Sequence, residues 1–187
     1  MQNKLIICYI GQDVENFLPL SLDSIKDIVD AIVFIDGGSK DKTIDILKGN
    51  NFWHFKYPYE GDIPQNKNIL FSRRYEHELK TANGRARNCY LDFVKKHFKG
   101  WLCLVLDPDE VVDERFNDFI KSEEAQNIKN NQLLSVHMRH TIRDLATEDA
   151  TVNQHFVHNR LFRICEDLFY PEVEHPILAS KSLDVQY

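Results

Sequence analysis

The sequence contains no apolar run approaching the roughly 20 residues that a membrane-spanning helix needs, and it has no excess of positive charge. Its 187 residues carry 23 Lys and Arg against 29 Asp and Glu, a formal net charge of -6, which argues against a nucleic acid as the main partner. A nucleotide is not excluded, because a bound metal reverses the local sign. Cysteine is scarce. Of Cys8, Cys89, Cys103 and Cys165, three sit in apolar runs and no two have CxxC spacing, so all four read as buried free thiols rather than disulfides or metal ligands. There is no internal repeat and no low-complexity segment. Residues 1–4 open directly into an apolar strand and leave no room for a signal peptide. The expectation is one soluble domain over residues 1–187, cytoplasmic or peripheral at a membrane, with no transmembrane segment. A hydrophobic fraction of 43% is enough to bury one sizeable core.

What is present is an alternation of strands and helices. Residues 4–10 form an apolar first strand, and residues 14–29 carry apolar side chains at helical spacing. Residues 31–35 form a second strand ending in Asp36-Gly37-Gly38-Ser39. A short helix then starts at Asp41 with Ser39 or Asp41 as its cap, and residues 52–57 are a third strand. This order predicts an α/β fold with a parallel sheet and crossover helices. Residues 58–83 read as a long polar connection with a short helix in its middle, and residues 84–98 as a well-formed helix. Later, residues 114–121 are expected to be helical and residues 132–138 a strand. Residues 155–164 and 168–173 are expected to pair as a hairpin across Glu166-Asp167.

The most informative stretch is Leu102-Cys103-Leu104-Val105-Leu106-Asp107-Pro108-Asp109-Glu110, a doubly buried strand with three carboxylates in four positions at its end. Ligands of α/β folds bind outside the carboxyl ends of the strands. Three clustered carboxylates raise one another's pKa unless a cation sits among them, and a hard Mg²⁺ or Mn²⁺ ion suits carboxylate oxygens. The plainer alternative is an acidic turn in which Asp107 or Asp109 caps the next helix.

Taken in order, Tyr9-Ile10-Gly11-Gln12-Asp13, Asp36-Gly37-Gly38-Ser39-Lys40-Asp41-Lys42-Thr43, Gly84-Arg85-Ala86-Arg87-Asn88 and Leu106-Asp107-Pro108-Asp109-Glu110 resemble the nucleotide-sugar-binding half of a GT-A-fold, family 2 glycosyltransferase. Arg160-Leu161-Phe162-Arg163 and Val173-Glu174-His175 fit that family's second half. The resemblance implies a Rossmann-like, mostly parallel sheet with flanking helices and a mixed C-terminal part. Residues 1–113 would bind the nucleotide sugar and residues 114–187 would serve acceptor and catalysis. It implies a metal-dependent transfer of the hexosyltransferase type, with inversion, from a nucleoside-diphosphate sugar (UDP favoured) to an unidentified glycan, lipid or protein acceptor.

The resemblance also distributes roles. Tyr9, Gly11, Asp36, Gly37, Arg87, Asp107 and Pro108 would bind the donor, with Asp36 on the base and Arg87, on the first turn of its helix, near it. Asp109 and His175 would hold Mn²⁺ or Mg²⁺. Asp149, or its neighbour Glu148, would be the base that takes the acceptor's proton. Arg160 and Arg163 could neutralise diphosphate charge or simply face solvent along a strand. Two departures stand out: Gly11-Gln12 replaces the family's usual Asn-Glu, and relatives commonly continue past His175 with helices that help bind the acceptor. A haloacid-dehalogenase-like Mg-dependent phosphatase with Asp107 as nucleophile is the competing enzyme class, and a non-catalytic nucleotide-binding relative is the third. The Gly-rich N-terminal loop of sugar nucleotidyltransferases is missing.

Overall fold

The computed structural model describes residues 4–50, 52–56, 73–130, 132–137, 157–171 and 177–180, with side chains of the long central helix described from Gly84 onward. Strand β1 (Leu5–Gly11) is followed by helix α1 (Leu18–Ile25), strand β2 (Ala31–Asp36), helix α2 (Thr43–Gly49) and strand β3 (Trp53–Lys56). Helix α3 (Arg73–His97) then leads into strand β4 (Leu102–Leu106), helices α4 (Glu114–Lys121) and α5 (Glu123–Gln126), and strands β5 (Leu133–His137), β6 (Val157–Arg163), β7 (Leu168–Phe169) and β8 (Ala179–Ser180). The main sheet runs β3-β2-β1-β4-β6-β5. Its first four strands are parallel, and β6 joins β4 and β5 antiparallel, so the sheet is parallel at one side and mixed at the other. This is the mostly parallel, helix-flanked α/β architecture with a mixed C-terminal part that the sequence leads one to expect.

Alternation along β1 and β4 builds two cores. Leu5, Ile7, Tyr9, Leu102, Leu104 and Leu106 face α1, α2 and α4, while Ile6, Cys8, Cys103 and Val105 face α3 through Ala86, Tyr90, Leu91 and Val94. Both faces are covered, which is why these strands read as continuous apolar runs. Cys8 and Cys103 are buried as expected, with their Sγ atoms 3.6 Å apart, whereas Cys89 is exposed on α3 and Cys165 half-buried.

Three elements differ from the sequence expectation. Helix α1 is only eight residues long, because residues 13–15 are drawn instead onto the loop before α2 and the chain must turn after Ile25 to enter β2. Helix α3 is 25 residues long and runs through Gly84, so that glycine is interior and Arg87 sits mid-helix rather than on a first turn. Strands β6 and β7 do not form a hairpin: β6 pairs with β4 and β5, and β7 pairs with β8 in a separate small sheet. The physical reason is burial on both faces of β6, with Leu161 in one core and Phe162 in the other. Such a strand belongs inside a sheet.

The end of β1 is crowded for a reason that bears on the site. A Cβ on Gly11 would lie 2.9 Å from Pro108 Cγ and 3.1 Å from Phe34 Cζ, so a glycine lets the turn after β4 pack directly on β1. Gly11→Ala is therefore expected to destabilise the fold by about 1–3 kcal/mol through overpacking. Gly49→Ala, where nothing lies within 4 Å, should be neutral or stabilising by up to about 1 kcal/mol. Urea unfolding of the two variants checks this, and equal midpoints would refute the packing argument.

Candidate functional site

The order 3-2-1-4 makes the gap between β1 and β4 the point at which chain connections leave in opposite directions, and ligands of open α/β sheets bind in the crevice at such switch points. The ends of β1, β2 and β4 bring Gly11, Asp36 and Asp107 to this one edge, with Gly11 in register with Asp36 and Tyr9 with Leu106. The Gly37 amide donates to the Gly11 carbonyl at 2.9 Å, and Gly38 takes φ +95°, a conformation that favours glycine. The loops after β1 and β2 are stitched together by side chains capping backbone N–H groups. Asp13 accepts from Lys40 N at 2.7 Å, Ser39 Oγ from Asp13 N at 3.0 Å, Thr43 Oγ1 from Val14 N at 2.9 Å and Glu15 from Lys42 N at 2.9 Å. Asp41 accepts from Thr43 N and Glu15 N, but α2 starts at Thr43 with Lys42 at its N-cap and no side-chain cap, so neither Ser39 nor Asp41 holds the expected cap position.

Asp36 is 3% exposed, and its carboxylate accepts from Gly38 N at 3.0 Å, Ser39 N at 3.0 Å and Ser39 Oγ at 2.6 Å. A carboxylate has about four lone-pair sites, so roughly one remains for an incoming donor. Asp36 also lines an open depression of about 420 Å³ with Ser39, Lys48, His54 and Lys56. Tyr9 lies in the core, its hydroxyl paired with Ser21 Oγ at 2.9 Å, and burial pushes its phenol pKa up. Its side chain packs the sheet rather than facing the crevice.

The acidic turn after β4 is built around arginines. Arg160, on β6, donates from Nη1 to Glu110 Oε2 at 3.0 Å and from Nη2 to Glu110 Oε1 at 2.9 Å, a two-pronged pairing, and Nη2 also reaches Asp107 Oδ2 at 3.2 Å. Arg87, on α3, reaches Asp107 Oδ1 at 3.2 Å. Inside the turn the Asp107 amide donates to Glu110 Oε2 at 2.7 Å and the Glu110 amide to the Asp107 carbonyl at 2.9 Å. The cation that the clustered carboxylates call for is thus supplied by two guanidiniums. Sequence reasoning left Arg160 between two roles and did not foresee this one. The signal was available: an arginine in a strand whose apolar neighbours are buried on both faces needs an acidic partner.

The next helix is capped by Asp113, which accepts from Phe116 N at 3.0 Å, so neither Asp107 nor Asp109 serves as that cap. Asp109 is exposed and has no hydrogen-bond partner among the described residues. Arg163 is a fastener, donating to the carbonyls of Ile128 and Gly100, both at 2.7 Å, and of Gln126 at 3.1 Å. Arg87 also stands 5.9 Å from the centre of the Tyr170 ring, and Asn88 grips the Tyr170 backbone from both sides at 2.9 Å. His175, Asp149 and Glu148 lie outside the described residues. Among the described residues, no three His, Cys, Asp or Glu side chains are arranged to hold a metal ion.

Burial opposes ionisation of Asp107, but the Arg87 and Arg160 guanidiniums outweigh it and hold the carboxyl below its usual range. Burial pushes Glu110 up to about 7, with Asp107 and Asp109 adding to the rise against the pull of Arg160. Burial likewise works against the charge on Arg87, yet Tyr90, Asp107 and Tyr170 overcome it.

No family model matches the chain, and no curated protein does. Solved structures do. TarS of S. aureus is 15% identical over 90% of this chain and 30% of its own, with a TM-score of 0.49. Glucosyl-3-phosphoglycerate synthase from Mycobacterium tuberculosis, in complex with uridine diphosphate, is 17% identical over 58% of this chain and 35% of its own, with a TM-score of 0.37. A 4-diphosphocytidyl-2C-methyl-D-erythritol synthase is 14% identical over 87% of this chain and 76% of its own, with a TM-score of 0.49. The chain spans about a third of the length of the first two proteins.

The raised Glu110 pKa carries a signed expectation. The native carboxyl holds its proton more tightly than the unfolded one, whose ordinary value is 4.5. Its stabilising contribution is therefore complete below that value and is lost as the pH rises through about 7. The stability of the metal-free protein minus that of Glu110→Gln should shrink between about pH 5 and about pH 8 in urea unfolding. A gap that widens over that range would contradict the assignment.

Proposed function

We propose that this chain is a metal-dependent glycosyltransferase of the GT-A type, acting on a nucleoside-diphosphate sugar, with residues 1–113 binding the donor and residues 114–187 serving acceptor and catalysis. The observation that carries the reading is the acidic turn at the switch point of the sheet, where Asp107 and Glu110 are engaged by arginines and Asp109 is exposed. The donor set suits Mg²⁺ or Mn²⁺, which is commonly held by one or two carboxylates and completed by substrate phosphates. Asp109 would hold it, with His175 proposed as a further ligand. When bound, the metal supplies Lewis acidity for the departing nucleoside diphosphate.

The remaining work falls to the chain itself. Gly37 lets a ligand approach the backbone closely, whereas the space over Gly11 is taken by Pro108 and Phe34, and the last free lone pair of Asp36 suits an N–H or O–H of base or ribose. Arg87 is held between Tyr170 and Asp107, and its guanidinium would be available to a phosphate or base carbonyl of the donor. Asp149, with Glu148 beside it, is the proposed base that takes the proton of an acceptor hydroxyl as that oxygen attacks the anomeric carbon with inversion. UDP is the nucleotide the resemblance favours. The phosphatase reading has less support, because both Asp107 oxygens accept from guanidiniums, which ill suits a nucleophile.

Thermal stability with UDP, GDP, CMP or phosphate, each with Mn²⁺ or EDTA, tests the reading. A ligand at a hundred times its dissociation constant stabilises by about 2.7 kcal/mol. One nucleoside diphosphate should raise the melting temperature with Mn²⁺, and the shift should vanish in EDTA and in Asp109→Ala. Stabilisation by phosphate and Mg²⁺ alone would favour the phosphatase. Asp149→Asn should leave that shift intact while lowering sugar transfer by roughly 10²–10⁴-fold, as loss of a general base does. An unaltered rate would remove Asp149 from the role.

A further inference from the structure

The depression beside Asp36 has a lining that the donor reading leaves unused. It lies between the edge strand β3 and helix α2 and holds about 420 Å³, the size of a small-molecule site. Lys48 and Ile44 of α2 and His54 and Lys56 of β3 line it beside Asp36. Lys56 is in register with Asp36, and its Cε would lie 3.7 Å from a Cβ on Gly38, so its stem reaches the turn that holds the Asp36 carboxylate. Among the described residues neither lysine has a carboxylate or hydrogen-bond partner.

The turn itself has no donor to spare. The backbone N–H of Gly37 goes to the Gly11 carbonyl, those of Gly38 and Ser39 to Asp36, and those of Lys40 and Asp41 to Asp13. Lys42 N is spent on Glu15 and Thr43 N on Asp41. A glycine-rich turn cradles phosphate through unspent N–H groups, and here there are none. The donors left to the depression are the two ammoniums, which act on phosphate as point charges. Two acceptors stand beside them. Asp36 Oδ1 takes two hydrogen bonds from Ser39 whereas Oδ2 takes one, from Gly38 N, so the open position is on Oδ2. His54 Nδ1 lies 3.2 Å from the Phe52 carbonyl, which can only accept, so the neutral ring carries its proton on Nδ1 and accepts at Nε2.

We infer that this depression binds a small polyol phosphate, with the phosphate on Lys48 and Lys56 and hydroxyls donated to Asp36 Oδ2 and His54 Nε2. A bare anion has no hydrogen to offer the Asp36 carboxylate, and a neutral sugar leaves both ammoniums without a counter-charge. A ligand that carries both groups answers the whole lining, and Ile44 gives its carbon skeleton an apolar wall. Neighbouring strands stand about 4.8 Å apart, so the ends of β3 and β4 are roughly 14 Å apart across β2 and β1. The phosphate position is therefore separate from the one proposed for the donor's diphosphate at Asp109. The site needs no metal, goes beyond the donor reading and shares only Asp36 with it.

The test titrates the isotope-labelled full chain with glucose 6-phosphate in EDTA at low salt, without nucleotide, and follows backbone amide resonances. Saturable shifts centred on Gly38, Lys48, His54 and Lys56 are expected at millimolar ligand. Methyl phosphate has the charge without the hydroxyls and should bind about tenfold more weakly, through loss of a hydrogen bond to a charged acceptor. Glucose should give no saturable shift. The double substitution Lys48→Met with Lys56→Met should abolish binding while the melting temperature stays at the wild-type value, since both side chains are exposed. Absence of saturable shifts, shifts centred elsewhere, equal affinity for methyl phosphate, saturation by glucose, or binding that survives the double substitution would overturn the inference. The donor reading fails separately, by no response to any nucleoside diphosphate with Mn²⁺, and that failure leaves this titration untouched.

Discussion

Four charged groups meet where β4 leaves the sheet: the carboxylates of Asp107 and Glu110 and the guanidiniums of Arg87 and Arg160. Each arginine comes from a different element packed against β4, one from the helix that precedes it and one from the antiparallel strand beside it. Burying such groups costs far more than a surface ion pair unless each has its partner, and breaking one partner leaves an uncompensated charge behind. The geometry of the turn is therefore tied to the packing of α3 and β6 as well as to its own sequence. Pro108, seated on Gly11, ties it to β1 in turn.

If the turn takes an anionic ligand as proposed, a metal is what would turn the local charge positive. Two guanidiniums already lie beneath the acidic turn, and a metal on Asp109 would add positive charge in front of it. Preorganised charge in a partly buried crevice acts more strongly than the same charge in water and needs no rearrangement when the ligand arrives. The stitched loops after β1 and β2 contribute rigidity of a cheaper kind, through Asp13, Glu15, Ser39, Asp41 and Thr43 capping one another's backbone N–H groups.

The parallel half of the fold was legible because its strands are apolar on both faces and end at acidic or glycine-rich turns, as at Ile35-Asp36-Gly37 and Leu106-Asp107. The meeting of Gly11, Asp36 and Asp107 at one edge followed from that pattern. The true extent of α3 was not legible, since residues 73–83 are polar and Gly84 looks like a boundary. The partner of β6 was hidden too, because a strand's own pattern records burial but not which strand covers it. Nor does the acidic cluster in sequence reveal that arginines far along the chain neutralise it. That pairing is a fact of register, with Leu161 opposite Leu104.

The central claim is that the turn after β4 receives a metal–nucleoside diphosphate through Asp109. The most direct measurement is paramagnetic broadening of backbone amide resonances by Mn²⁺ in the presence of UDP. Broadening centred on Asp109 and extending to Gly37 and Gly38 across the crevice, lost in Asp109→Ala, is the predicted result. Broadening centred elsewhere on the chain, or unchanged by that substitution, would contradict the account.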